Sequence, residues 1–144
     1  MEITGQTISN LNSLISLLRI MLTSGVDIIF VPRVERAVQQ FGSRFLERVY
    51  TPLERLYCRE RVPELAVRFA AKEAVAKALG VGMRILARDG IHWHDAEIVG
   101  DFRGKPIVRL HGIAAARADE LGLKEWTVSL SHEREYAVAF VVAM

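Results

Sequence analysis

The chain has few of the residues that build disulfides and zinc sites. It contains one cysteine and four histidines among 144 residues. A single cysteine cannot form an intramolecular disulfide and suits a reducing compartment, so we expect a cytoplasmic protein. Cys58 has no histidine near it in sequence, which predicts a small buried hydrophobe rather than a nucleophile. Cysteine and histidine clusters at zinc-ligand spacing are absent, so we expect no zinc site.

Long hydrophobic runs are also missing. The most apolar early stretch, Ile8 to Leu22, is interrupted by two asparagines and Arg19. It is too short to cross a bilayer and lacks the basic start of a signal peptide, so we expect no membrane span. Its apolar residues recur at three- and four-residue steps, at Ile8, Leu11, Leu14, Ile15, Leu18 and Leu22. We interpret residues 1–24 as a leading segment, either an amphipathic packing helix or sequence upstream of a true start at Met21.

Charge is unevenly distributed, although the formal net charge is only +2. Residues 33–68 contain Arg33, Arg36, Arg44, Arg48, Arg55, Arg59, Arg61 and Arg68 against Glu35, Glu47, Glu54, Glu60 and Glu64. Aromatic residues do not alternate with these arginines and no nucleic-acid motif is present, so we expect no nucleic-acid partner. Arginine suits carboxylate and phosphate groups, which favours an acidic protein or an anionic cofactor as the partner.

The pattern of short elements predicts a single α+β domain. A β-branched strand over 25–31 ends at Pro32, Thr51-Pro52 predicts a helix start, and the longest helix runs from Pro63 to about Leu79 before Gly80. Further strands are predicted at 96–99, 107–110, 126–131 and 136–142, a helix at 114–121, and a turn at 132–135. We expect a small antiparallel sheet packed against the one long helix.

The most informative segment lies on that helix and reads Arg68-Phe69-Ala70-Ala71-Lys72-Glu73-Ala74-Val75-Ala76-Lys77. Residues four apart share a helix face, so Glu73 and Lys77 point the same way. By itself this spacing is typical of an exposed ion pair worth roughly 0.2–0.5 kcal/mol. A second acid, Asp27, lies in an apolar strand, where a carboxylate without a partner is costly. Two carboxylates and a lysine also suit magnesium-assisted phosphate chemistry.

Gly25-Val26-Asp27 followed by this helix motif resembles the holo-acyl-carrier-protein synthase family of 4′-phosphopantetheinyl transferases. The resemblance continues through Asp27-Ile28, Arg33, Arg44-Phe45 with Arg48, Gly104-Lys105-Pro106 and Ser129-Leu130-Ser131-His132. It implies a transferase domain over 25–144 that supports fatty-acid biosynthesis. Such a domain moves the 4′-phosphopantetheine arm of coenzyme A to a serine of apo-acyl carrier protein and releases adenosine 3′,5′-bisphosphate. The resemblance also implies a homotrimer with active sites between neighbours.

Residue roles follow from the same resemblance. Asp27 and Glu73 are implied as Mg²⁺ ligands and, with Lys77, as the catalytic set. Contacts to coenzyme A are implied for Lys77, Arg68, Pro106, Ser129, Ser131 and His132. Docking of the acidic carrier helix is implied for Arg33, Arg36, Arg44 and Arg48. The base for the serine hydroxyl stays open between Asp27 and a metal-bound water.

Two other functions compete with the transferase: a non-catalytic module that binds carrier protein, and an unrelated small α+β enzyme that acts on another nucleotide. Intact Asp27, Glu73 and Lys77 favour the transferase. One departure is Thr23, which stands where the family often has the first glycine of Gly-x-Gly-x-Asp. A side chain there would crowd the backbone or be tolerated. Lys72 lies off the helix face of Glu73, and we expect a structural or surface role for it or for Arg68.

Overall fold

The computed structural model describes residues 5–17, 21–84 and 88–144 of the chain. The helices are α1 (Gly5–Leu17), α2 (Val31–Phe41), α3 (Ser43–Val49), α4 (Pro52–Cys58), α5 (Val62–Ala78) and α6 (Gly112–Leu121). The strands are β1 (Thr23–Phe30), β2 (Ala96–Gly100), β3 (Pro106–Leu110), β4 (Trp126–Glu133) and β5 (Tyr136–Ala143). A 3-10 turn spans Trp93–Asp95. The α+β class and the long helix predicted from the sequence are confirmed.

The larger sheet places β5 between β1 and β4, with both pairs antiparallel. Helix α5 packs across one face of this sheet. Several small side chains are buried on both elements, among them Ala70 and Ala74 on α5 and Ala137 and Ala139 on β5. Because these side chains are small, the helix lies close to the strands, and this contact forms the centre of the core.

The strands divide between two sheets. β2 and β3 form a separate antiparallel hairpin, with Ala96 opposite Leu110 and Gly100 opposite Pro106. Helix α4 packs on β2. The predicted start of α4 is confirmed, because Thr51 and Glu54 form a reciprocal capping box at its first turn. The hairpin therefore packs on α4 and α5 through β2 and contacts β4 through β3, without being hydrogen-bonded into the main sheet.

The predicted turn at 132–135 is wrong at its start. β4 continues to Glu133, and His132 lies opposite Ala137 in the sheet. The chain reverses one residue later at Arg134, whose φ is 52°. The alternation of apolar residues ends at Leu130, but hydrogen bonding to β5 carries the strand further than that pattern indicates.

The apolar stripe of the leading segment remains on the surface where it is described. The expected helix is confirmed as α1, and Ile8, Leu11 and Leu14 are 50–56 % exposed. Leu18 and the side chain of Ile15 lie outside the described residues. Met21, by contrast, packs against the core beside β1. Within the described ranges, no helix is long and apolar enough to cross a membrane.

Candidate active site

Strand β1 and helix α5 bring the two predicted carboxylates to one cleft. Side chains alternate along a strand, so Asp27 lies on the same face as Gly25, the face that packs on α5. Glu73 is carried by α5 itself. Both residues line a cleft of about 440 Å³, together with Arg33 from α2. The two acids are 46 positions apart in the sequence, and the packing of β1 on α5 brings them together.

Lys77 pairs with the strand carboxylate rather than with its helical neighbour. Its Nζ donates to Asp27 Oδ1 at 2.9 Å and to the Val26 carbonyl at 2.9 Å. Among the described residues, no ion pair within 4.0 Å joins Lys77 to Glu73. The interpretation of the Glu73–Lys77 spacing as a simple helical ion pair is therefore wrong, and Glu73 is left without a bonded cation.

The electrostatics of Glu73 follow from this arrangement. Burial raises the pKa of the Glu73 carboxyl, and the nearby Asp27 carboxylate raises that pKa further, while Lys77 acts in the opposite direction. Two acids that repel each other in a half-buried cleft favour a cation between them. No group of three or more potential metal ligands occurs in the described part of the chain. Two carboxylates suffice for Mg²⁺, which fills its other positions with water and phosphate oxygens.

Three of the four predicted docking arginines lie around this cleft. Arg33 lines the carboxylate cleft itself. Arg44 and Arg48 line an adjoining cleft of about 470 Å³, which we call the aromatic cleft. It is formed by Phe41, Arg44, Phe45, Arg48, Val49, Phe69 and Trp93. Arg36 is exposed on α2 and lines neither of these two clefts.

Sequence reasoning missed the aromatic members of this surface. Phe45, Phe69 and Trp93 line both the carboxylate cleft and the aromatic cleft. The Phe69 and Trp93 rings are in contact, with centroids 4.6 Å apart. Phe69 lies one helical turn before Glu73, and that spacing was the one available signal. Trp93 comes from the 3-10 turn, and nothing local in the sequence relates it to α5.

The predicted serines lie on the opposite side of the sheet from Asp27. Ser129 and Ser131 pair with Phe140 and Val138, on the outer face that α5 does not cover. His132 has the parity of the inner face but is exposed near the end of β4. The chain by itself therefore does not bring Ser129 or Ser131 to the carboxylate cleft.

Arg68 and Pro106 lie near a cleft between α4 and the β2–β3 hairpin. Arg68 is only 2 % exposed, pairs with Glu64 at 2.9 Å and lies over the Tyr57 ring at 4.3 Å. Tyr57 lines a cleft of about 780 Å³ formed by α4 and the β2–β3 hairpin, which we call the arginine cleft. It also contains Arg59, Arg61 and Arg109. Pro106 pairs with Gly100, which lines the same cleft.

The single cysteine plays no part in these clefts. Cys58 is fully buried at the end of α4. Burial raises the pKa of its thiol to about 11, so it is protonated at neutral pH. The expectation of a small buried hydrophobe is confirmed.

Comparison with known proteins shows the family of this chain. The model of the 4′-phosphopantetheinyl transferase superfamily matches residues 24–141. The chain belongs to this superfamily. It is 49 % identical over 126 residues to a holo-[acyl-carrier-protein] synthase of Herpetosiphon aurantiacus, covering 86 % of this chain and 99 % of the relative. A synthase of the same name from Halorhodospira halophila is 51 % identical over 121 residues, covering 82 % and 93 %.

Solved structures agree with the sequence relatives. The crystal structure of the Helicobacter pylori holo-[acyl-carrier-protein] synthase in complex with coenzyme A matches with a TM-score of 0.75 at 30 % identity. It covers 84 % of this chain and 99 % of that chain. The Neisseria meningitidis synthase matches with a TM-score of 0.74 at 36 % identity, covering 85 % and 97 %. Helix α1 precedes the segment that the superfamily model matches.

Proposed function

We propose that this chain transfers the 4′-phosphopantetheine arm of coenzyme A to a serine of apo-acyl carrier protein, as a holo-[acyl-carrier-protein] synthase of fatty-acid biosynthesis. The observation that carries the proposal is the cleft that holds Asp27, Glu73 and Arg33, with Lys77 bonded to Asp27. The names of the relatives and the coenzyme A complex of the Helicobacter pylori synthase support the substrate assignment. The cytoplasmic location expected from the single cysteine stays a prediction.

The carboxylate pair fits a magnesium ion, with Asp27 and Glu73 as its protein ligands. When bound, Mg²⁺ would neutralise the charge that develops on the pyrophosphate during transfer. Lys77 holds Asp27 in place through its 2.9 Å bond and adds a point cation for a phosphate oxygen. An attacking serine hydroxyl must also lose its proton, and the candidate acceptors are Asp27 and a metal-bound water.

The surface around the cleft fits an amphipathic acidic helix of the carrier. Arg44 and Arg48 line the aromatic cleft together with the apolar residues Phe41, Phe45 and Val49. Acidic side chains of a carrier helix would meet the arginines while its apolar residues cover the aromatic rings. Arg33 would then stand between the docked helix and the carboxylates.

The nucleotide end of coenzyme A fits the arginine cleft. Arg59, Arg61 and Arg109 supply cations for phosphate groups, and Tyr57 supplies an aromatic side. Arg68 supports this side from behind, because its guanidinium stacks on Tyr57. We keep Pro106 in the same region, since it lies opposite Gly100 in the hairpin.

In a homotrimer, Ser129 and Ser131 could lie near the carboxylate cleft of a neighbouring subunit. The outer face of the main sheet exposes Val26, Ile28 and Phe140 by 47–64 %, a patch that a monomer leaves in water. Ser129 and Ser131 share that face. Association through it would bring these serines, and His132 at the strand end, toward the cleft of a neighbouring subunit.

The test of the function is the intact mass of an apo carrier protein after incubation with the chain, coenzyme A and Mg²⁺. We expect a mass gain of one phosphopantetheine on the carrier and release of adenosine 3′,5′-bisphosphate. A carrier that binds the chain but gains no mass would instead support the non-catalytic binding module. A carrier that neither binds nor gains mass would favour an enzyme acting on another nucleotide.

Reversal of two docking charges should weaken carrier binding selectively. In Arg44→Glu/Arg48→Glu we expect the KM for the carrier to rise roughly ten-fold, because exposed ion pairs contribute about 1 kcal/mol each at most. The KM for coenzyme A should stay near its original value. Steady-state kinetics at low and high salt check this, since screening should shrink the difference. Lys124→Glu is the control, an exposed charge between α6 and β4. Unchanged carrier kinetics in the double variant would place docking elsewhere.

A charge on the outer sheet face should break the assembly. Phe140→Glu places a carboxylate in the centre of the exposed apolar patch, where association would have to bury it unpaired. We expect the mass measured by light scattering to fall from that of a trimer to that of a monomer, with a loss of transfer. Phe102→Glu is the matched control at a hairpin residue that is 90 % exposed. A parent protein that is already monomeric would refute the trimer.

A further inference from the structure

A fully buried ion pair lies behind the helix that carries Glu73. Lys72 Nζ is 2.8 Å from Glu54 Oε2, and both side chains are 0 % exposed. Lys72 directly precedes Glu73 on α5, yet it contacts α4 and β2 instead of the carboxylate cleft. The proposed chemistry therefore gives this pair no role, and a buried pair by itself is weak support for stability.

Lys72 directs all its hydrogen bonds to fixed groups. Besides Glu54, its Nζ donates to the carbonyl of Trp93 at 2.8 Å and to the carbonyl of Ala96 at 2.6 Å. An ammonium has three hydrogens, so its donor capacity is fully used. The two carbonyls belong to the two ends of the 3-10 turn that joins the preceding loop to β2. Lys72 thus fixes that turn to α5 at both of its ends.

Glu54 is equally well satisfied. Its Oε2 accepts the Thr51 backbone N–H at 2.9 Å, and its Oε1 accepts the Ile98 backbone N–H at 2.8 Å. The carboxylate therefore joins the cap of α4 to strand β2 and compensates the buried ammonium. A lysine at position 72 can be charged and fully bonded only because Glu54 occupies this place.

Trp93, whose carbonyl accepts a hydrogen bond from Lys72, lines three of the clefts described by the structure. These are the carboxylate cleft, the aromatic cleft and a further cleft, distinct from the arginine cleft, that contains Arg84, His92 and His94. Its ring also contacts Phe69, one turn before Glu73. A displacement of the 3-10 turn would therefore change the shape of the surface on which the carrier is proposed to dock.

We propose that Lys72 is a positioning residue for the carrier site. Through its bond to the Trp93 carbonyl it fixes the indole between the carboxylate cleft and the aromatic cleft, and Glu54 is the counter-charge that allows this. The kinetic part of the inference rests on the proposed function, whereas the positioning of Trp93 does not. An apolar residue at position 72 could fill the space, but it could not hold the two carbonyls.

The test uses Trp93 as its own reporter. The chain has two tryptophans, so Trp126→Phe leaves Trp93 as the single indole. In this background we compare Lys72→Met/Glu54→Gln with Glu54→Gln alone. The double variant removes both charges together and leaves no unpaired carboxylate. Glu54→Gln keeps the lysine amine and its two carbonyl bonds. The measurements are acrylamide quenching of Trp93, thermal melting, and KM and kcat for carrier and for coenzyme A.

In the double variant we expect faster quenching of Trp93 and a kcat/KM for the carrier lower by about 100-fold, the size of effect that a misplaced supporting group produces. The KM for coenzyme A should hardly change. Glu54→Gln alone should change quenching and carrier kinetics in the same direction but by less, because it keeps the lysine amine and removes only its counter-charge. Val75→Ala, a cavity in the same helix at a buried position, should lower the melting temperature without either effect.

Unchanged quenching in a folded double variant would overturn the inference, and so would a Glu54→Gln variant equal to the double variant. Should the double variant fail to melt cooperatively, Trp93→Leu decides the question, because it keeps the backbone partner of Lys72. It must reproduce the loss in kcat/KM for the carrier, and normal carrier kinetics in Trp93→Leu would refute the proposal. If the parent transfers nothing to any carrier, the proposed function fails, and the quenching comparison still decides whether Lys72 positions Trp93.

Discussion

Replacing Glu73 by glutamine is expected to remove nearly all transfer activity while making the protein without metal more stable. The loss in activity follows from the metal proposal, because a carboxylate that holds Mg²⁺ at the developing phosphate charge contributes several kcal/mol to the transition state. At about 4 kcal/mol, the rate falls about a thousand-fold. Intact-mass kinetics with saturating Mg²⁺ measure this effect.

The gain in stability follows from the direction of the Glu73 pKa. Burial and the Asp27 carboxylate raise this pKa in the folded protein above its unfolded value. Between the two pKa values the folded state binds more protons than the unfolded state, so stability is lost as the pH rises through that window. At neutral pH the charged Glu73 is therefore a cost, and an uncharged glutamine relieves it. Without Mg²⁺, we expect a higher melting temperature for Glu73→Gln at pH 7 and a smaller difference at acidic pH.

Magnesium should reverse the comparison. A ligand that binds only the folded state stabilises it by mass action, so Mg²⁺ should raise the melting temperature of the parent in proportion to the logarithm of its concentration. Glu73→Gln should show little of this rise. Glu125→Gln is the matched control at an exposed position and should respond to Mg²⁺ as the parent does. Activity within a few-fold of the parent, or an unaltered magnesium response in Glu73→Gln, would refute the assignment of Glu73.

Local sequence patterns predicted the elements well, because each depends on residues close in the chain. The cap at Thr51, the long helix and the strands carry their signals in spacing, proline and glycine. The division of the strands into two sheets was not predictable in this way. It depends on which strand lies beside β5, and β1 pairs with β5 across more than a hundred residues.

The site was predictable only in so far as the family motif brought its members together. Spacing alone placed Glu73 and Lys77 on one face, but the actual partner of Lys77 is Asp27, on a distant strand. The position of Trp93 and the pairing of Lys72 with Glu54 were missed for the same reason, since each contact joins segments 18 to 24 positions apart. Alternation along β4 and β1 does separate Ser129 from Asp27, but only once their register with β5 is known.

Gly25→Ala is expected to cause a large loss of stability. A Cβ at Gly25 would lie 1.9 Å from the Ala74 carbonyl oxygen and 2.9 Å from the Ala78 backbone nitrogen. Both atoms belong to the backbone of α5, so no side-chain rotation can make room. The strand must therefore move away from the helix, which loosens the packing of β1 on α5.

A side chain is tolerated at Thr23, two residues before Gly25. It lies on the same face of β1, where the family often has glycine, and its Oγ1 donates to the Ala78 carbonyl at 2.7 Å. The side chain is thus tolerated and forms a bond to the end of α5. The departure from the family motif at Thr23 is therefore compatible with the fold, whereas a side chain at Gly25 is not.

We expect Gly25→Ala to cost about 3 kcal/mol or more, as severe overpacking does, which is roughly a 10 °C fall in melting temperature for a chain of this size. Gly100→Ala is the matched control for stability, a strand glycine where the nearest atoms to a new Cβ are 3.6 Å away, and it should melt close to the parent. Because Asp27 lies two residues along the same strand, its displacement from Glu73 should also lower transfer about 100-fold at a temperature where the variant is folded. A Gly25→Ala variant with the melting temperature and activity of the parent would show that β1 does not approach α5 so closely, and the geometry of the carboxylate pair would then have to be revised.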